Sequence, residues 1–280
     1  MSTQLEALRR QRSVRPFLSS RGDERSPVVF ASGKGGSGTS TLAALLAVGA
    51  AGEGLRVLLV DGSAGIGSLH LYLGTEAGRG WAALKEGASP EELLVAVAER
   101  LTLLPSGEAT AASAVSAAER QALFRRLAPL FPAYDLVVVD GGSRVESVMA
   151  ACAAGASRLV AVTTPDRVSL AATYALVKVA LARMPDLSVA VLANRGGDGA
   201  GESIRAAAVR FLDRTVDAVG AIPDDECLRA GINAGMNLQD AATGSPAAAA
   251  IIKAGSRFVR GLRAGSAAGE TLQLSRRSFP

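Results

Sequence analysis

Aromatic residues make up only 4% of this 280-residue chain, with one Trp and one His. That leaves little material for stacking on nucleic-acid bases. A lone His70 cannot build a histidine-rich metal centre. Two cysteines, Cys152 and Cys227, do not make a disulfide framework and read as inert thiols. No apolar run approaches the roughly 18 residues of a membrane span. The arginine-rich N-terminus lacks an apolar h-region, so no secretory signal is expected and a cytoplasmic setting is. There is no internal repeat. The net charge of +4 is concentrated at the ends, where residues 1–26 carry +3 and residues 253–280 carry +5, leaving a body of −4.

What is present is a glycine loop, Gly33-Lys34-Gly35-Gly36-Ser37-Gly38-Thr39-Ser40-Thr41. It follows an apolar run, Val28–Ala31, and opens an apolar helix-like segment, Leu42–Ala50. This strand, loop, helix order is what a phosphate-binding loop needs. Glycines let backbone N–H groups turn inward onto phosphate oxygens, and a helix N-terminus adds partial positive charge. Ser40 stands where a loop hydroxyl holds Mg²⁺. The full pattern G-x-x-x-x-G-K-[ST] has Lys at position 39, and here the residue is Thr39.

Continuous apolar runs alternate with helical stretches along the chain. The expected strands are Val28–Ala31, Arg56–Val60, Leu101–Leu104, Leu136–Val139, Leu159–Val162, Ser188–Ala193 and Val216–Ala221. Between them lie helical stretches such as Ala117–Leu130, Leu170–Arg183 and Ile204–Leu212. The expected fold class is α/β, a three-layer, doubly wound, mostly parallel sheet covered on both faces around one core. The expected organisation is a short helix, residues 4–11, with a polar linker (1–26), one nucleotide-binding domain (27–263) and a basic tail (264–280). Ligands of such sheets bind at the carboxyl ends of the strands. Asp61 and Asp140 each end a strand there, near the loop, and are candidate partners of Mg²⁺ with Ser40.

These motifs resemble the MinD/ParA group of P-loop ATPases over residues 27–262. Ser32–Gly38 resembles its deviant Walker A motif. Asp61–Gly74 resembles switch I, Asp135–Gly142 switch II, and Thr163-Thr164-Pro165-Asp166 the segment before the next helix. The resemblance implies bound ATP or ADP with Mg²⁺, held by Gly33, Gly35, Gly36, Ser37, Gly38, Thr39, Ser40 and Thr41. It implies Lys34 as a lysine reaching across an ATP-dependent homodimer, and Lys34, Asp61 and Asp140 as the catalytic set. Asn194 and Arg195 would meet the adenine, and Pro223 with Asp224 would close over it. Within the group, the subfamily of flagellar regulators called FlhG carries an N-terminal motif that engages the GTPase FlhF. Thr3–Arg9 resembles that motif at Gln4, Leu8 and Arg9. Gln4, Leu5, Leu8 and Arg9 are therefore the expected partner contacts, and FlhF and flagellar basal-body components the expected partners.

Three departures fall on the chemistry. Thr39 replaces the loop Lys. Ser63 replaces the second switch I Asp, and Gly141-Gly142-Ser143-Arg144 replaces the usual switch II sequence. A charge-assisted phosphate contact contributes about 1.5–3 kcal/mol, so hydrolysis is expected to be impaired while glycine-loop amides keep some binding. The leading expectation is a regulator of flagellar number or placement, in the cytoplasm or at the cell pole. The competing ones are a slow MinD-type ATPase, a nucleotide-free scaffold and a ParA-like partition protein. Sequence-specific nucleic-acid binding is not expected. The apolar C-terminal positions Ile251, Ile252, Phe258, Val259 and Leu262 are expected to pack on the body rather than on a membrane surface.

Overall fold

The computed structural model describes residues 26–63, 67–107, 115–153, 155–196 and 199–253. Eight strands form one sheet: β1 Val28–Ser32, β2 Val57–Asp61, β3 Val95–Ala98, β4 Leu101–Leu104, β5 Leu136–Gly142, β6 Arg158–Thr163, β7 Ser188–Ala193 and β8 Asp217–Ala221. Their order is β3-β4-β2-β5-β1-β6-β7-β8, and every pairing but β3–β4 is parallel. The helices are α1 Thr39–Gly52, α2 Leu69–Leu73, α3 Ala117–Arg125, α4 Val145–Ala153, α5 Arg167–Arg183, α6 Gly199–Leu212, α7 Glu226–Asn233 and α8 Leu238–Ala241, with α9 over residues 246–253.

The central strands are apolar on both faces because both faces are covered. Val29 and Ala31 of β1 face a layer built from α3, α4, α5 and α6, where Trp81, Phe124, Cys152 and Leu176 are buried. Val28 and Phe30 point the other way, toward α1, α7, α8 and α9. The single expected core is thus two apolar layers divided by the sheet. Ile251 is fully buried in the second layer, and Ile252 lies against Gly49 of α1, where only glycine leaves room. So α9 packs on the body at Ile251 and Ile252, while Phe258, Val259 and Leu262 lie outside the described residues.

The sequence-based strands agree with the structure to within one residue at either end, except that β5 runs three residues beyond the expected Val139, to Gly142, and one strand was omitted. β3 has an alternating, half-exposed pattern at the sheet edge and pairs antiparallel with β4. The expected helix Ala117–Leu130 is shorter. It begins at a Ser116/Glu119 capping box and stops at Arg125, and a 3₁₀ turn, Ala128–Ala133, follows. Pro129 and Pro132 each lack the N–H that a continuing helix requires. The expected helix at residues 4–11, the linker to residue 25 and the tail 264–280 lie outside the described residues. No helix among the described residues is long and apolar enough to cross a membrane.

Candidate nucleotide site

The glycine loop leaves β1 at the carboxyl edge of the sheet and turns into α1. Gly33 is wedged against α5: a Cβ there would sit 2.0 Å from the backbone carbon of Ala172. Its N–H donates to Thr173 Oγ1 at 3.4 Å. Ser32 Oγ and Ser37 Oγ both donate to the Lys34 carbonyl, at 2.8 and 2.9 Å. Asn194 Nδ2 donates to the Ser37 carbonyl at 2.9 Å, and Gly38 (φ 88°) leaves room for that amide. The loop is therefore clamped from three sides. The first turn of α1 has neither an acidic residue nor a side-chain cap, so its N–H groups are left for an anion.

Two carboxylates lie beside this cradle. Asp61 ends β2 and pairs in register with Asp140, which lies inside β5, two residues before its end rather than at it, and both are 1% exposed. Burial pushes Asp140 up to about 7, with the neighbouring Asp61 charge adding to the effect and a Ser40 hydrogen bond opposing it. Burial also raises Asp61, against hydrogen bonds from Ser63. Ser63 Oγ donates to Asp61 Oδ1 at 2.7 Å, and Trp81 Nε1 donates to the Asp61 carbonyl at 2.7 Å. Two buried carboxyl groups that resist ionisation, beside a serine hydroxyl, fit a divalent cation, whose charge would reverse the penalty. No group of three or more His, Cys, Asp or Glu side chains forms a metal cluster among the described residues.

Thr39 is the unusual member. Its hydroxyl is buried and has no hydrogen-bond partner. Lys34 points outward instead, and its ammonium lies 3.4 Å from Asp166 Oδ1. Asp166 is held down to about 2, first by Thr164, which donates to it at 2.6 Å. Arg144 is exposed and does not replace the missing loop lysine with a buried contact.

A separate pocket of about 150 Å³ adjoins the loop, lined by Gly38, Thr41, Asn194, Arg195, Pro223 and Asp224 among others. The structure thus unites the residues expected to meet a base. Asn194 also holds the protein itself, because its Oδ1 accepts the Arg195 N–H. Arg195 adopts a left-handed backbone, φ 62°. Two contributors were not anticipated from the sequence. Tyr72 lines the same pocket from α2. Asp225 caps α7 and accepts from Ser245 at 2.6 Å, fastening α9 to the pocket. Short polar side chains before each helix were the available signal.

Residues 27–195 match the family described as cellulose biosynthesis protein BcsQ. The chain belongs to this family. Its fold is that of the MinD/ParA P-loop ATPases. The chain is similar to the septum site-determining protein MinD with Mg-ADP from Pyrococcus horikoshii, at 23% identity and a TM-score of 0.67, over 83% of this chain and 95% of that one. It is similar to a ParA family ATPase from Chlorobium tepidum, at 23% identity and TM-score 0.65, over 84% and 98%. It is also similar to a chain of the MinC:MinD cell division protein complex of Aquifex aeolicus, at 25% identity and TM-score 0.64, over 84% and 95%. No curated protein matches the chain.

Proposed function

We propose that this protein is a Mg-ATP-dependent switch whose hydrolysis is impaired, and that it acts by presenting surfaces to a partner protein. The observation that carries this is the Thr39 hydroxyl, buried without a partner inside a cradle that is otherwise built. Backbone amides from Gly35 to Thr41 hold the phosphates. Ser40, Asp61 and Asp140 hold Mg²⁺, which supplies charge neutralisation at the phosphates. Asn194, Pro223 and Asp224 hold the base.

Thr39 offers a neutral hydroxyl where a lysine would supply a charge, and Ser63 offers no carboxylate to orient water. Loss of one such donor lowers turnover by on the order of 10²–10³. Lys34 lies at the surface and, among the described residues, pairs with exposed Asp166, so it is free to swing toward a second copy's phosphates. Bound nucleotide then couples to dimerisation rather than to rapid hydrolysis.

The partner identity has two sources of support. Membership of the BcsQ family favours the machinery of cellulose synthesis. The likeness of Gln4, Leu8 and Arg9 to the FlhG motif favours FlhF and the flagellar base, with action at the cytoplasmic face of the membrane or the pole. The switch mechanism is the same for both. Calorimetry with Mg-ATP, combined with light scattering, tests it. Micromolar to sub-millimolar binding with doubling of mass, and loss of the doubling in Lys34→Ala, is the expected result. No heat and no change of mass at millimolar Mg-ATP would leave only a scaffold role.

A further inference from the structure

The pocket of about 150 Å³ beside the glycine loop has one aromatic side chain in its lining among the described residues, Tyr72 of α2. Leu42 of α1 and Leu228 of α7 add apolar surface. Much of the polar lining is committed to the protein itself. Asn194 spends one N–H on the Ser37 carbonyl and one oxygen lone pair on the Arg195 N–H. Asp225 accepts from the Leu228 N–H, the Ser245 hydroxyl and the Ala247 N–H. Asp224 pairs with Arg229 at 2.9 Å. A site that selects a base by its edges keeps donors and acceptors free for them. This one ties down both of its carboxylates, Arg229 and half of the Asn194 amide.

Tyr72 is held in place before any ligand arrives. Leu69 and Tyr72 are three residues apart on α2 and share one helical face. Leu69 is fully buried, and Tyr72 packs against the same apolar layer. Leu71, on the other face, is 65% exposed. The start of α2 is fastened to the phosphate end of the site, because the Leu69 N–H donates to Asp61. Gly67 stands so close that a Cβ there would lie 2.7 Å from Asp61 Oδ2. The Tyr72 N–H donates to the Ser68 carbonyl at 3.1 Å, and Gly74, at φ 65°, ends the helix. A ring fixed in this way loses little freedom when a flat ligand settles on it. Stacking also tolerates any edge pattern, since every base has a π-face.

We propose that Tyr72 is the platform on which the nucleobase stacks. The site then takes purine nucleoside triphosphates by the face of the base and discriminates little between adenine and guanine. The proposal rests on the site holding a nucleotide, and it names the class of base.

Calorimetry on the full chain with Mg-ATP, Mg-GTP and Mg-tripolyphosphate, which has no base, tests it. ATP and GTP should bind within about fivefold of each other, and tripolyphosphate about tenfold or more weaker. Tyr72→Ala and Tyr72→Leu should weaken ATP and GTP by about tenfold or more and leave tripolyphosphate within about twofold. Leu fills the space without a π-face, so it separates stacking from packing. Tyr72→Phe keeps the ring and should restore the affinity. ATP bound as tightly by Tyr72→Leu as by the native chain would overturn the proposal. So would a preference for ATP over GTP of about a hundredfold, or equal losses of ATP and tripolyphosphate, which would make Tyr72 a support of the loop. Native binding of tripolyphosphate that a base does not improve would refute the platform and spare the phosphate cradle. No heat with any of the three would remove the nucleotide reading itself, and the platform with it.

Discussion

The two ends of the sheet are built on opposite plans. At the carboxyl end the protein buries Ser32, Ser37, Thr39, Asp61, Asp140, Thr163, Thr173 and Asn194. At the foot, Arg158 is the one charged side chain buried beside the strand starts among the described residues, and a wide groove that opens there between α4 and the starts of β6 and β7 is mainly apolar. Burying polar groups costs free energy unless each finds a partner. The head accepts that cost, and of these eight side chains Thr39 alone has no hydrogen-bond partner. A preorganised polar site suits a small charged ligand, and the foot has no such set of buried polar groups among the described residues.

Glycine substitutions probe this contrast most sharply. Gly33→Ala should destabilise the fold by about 3 kcal/mol or more, because its methyl group would meet the α5 backbone. Gly155 at the foot also has a positive φ, 100°, but open space around its Cβ position. Gly155→Ala should cost only ~1–2 kcal/mol, from backbone strain alone. Chemical denaturation of both variants measures the difference, and equal losses would erase the distinction between a packed head and an open foot.

Asp140 comes next. Its folded pKa lies near 7, above the ordinary value of 3.8. The folded state therefore holds a proton that the unfolded state has released between about pH 4 and 7. This contribution to stability is fully present below pH 4 and is lost as pH rises through 7. Asp140→Asn should flatten that fall and raise the nucleotide-free melting temperature at pH 8 by roughly 5 °C, equivalent to ~2 kcal/mol. It should also abolish the Mg²⁺ dependence of nucleotide binding. A melting curve across pH 4–8 that is unchanged by the substitution would refute the assignment.

Asn194→Ala should have a smaller effect. It removes the clamp on the Ser37 carbonyl, worth about 1–3 kcal/mol. It should also weaken Mg-ATP roughly tenfold. Loss of nucleotide affinity with no loss of stability would mean that Asn194 serves the base alone.

The head was more legible in the sequence than the foot. Gly33–Thr41, Asp61 and Asp140 fall at fixed places in a strand, loop, helix pattern, and their chemistry follows from residue type. The parallel strands were readable because they are apolar on both faces. β3 was missed because an edge strand exposed on alternate residues carries a weaker signal. The groove was not legible, since Met149, Ala156 and Met184 are brought together only by the packing of α4 beside the β6 and β7 starts. The double use of Asn194, and the unpartnered hydroxyl of Thr39, likewise depend on distances that no linear pattern contains.

The central claim is that the phosphate cradle is intact while the group that drives hydrolysis is missing. Steady-state ATP turnover in the native chain and in a Thr39→Lys, Ser63→Asp variant tests this most directly. Negligible turnover in the native chain, and a rise of at least tenfold in the variant, is the predicted result. Rapid hydrolysis by the native chain, lost in Lys34→Ala, would contradict it.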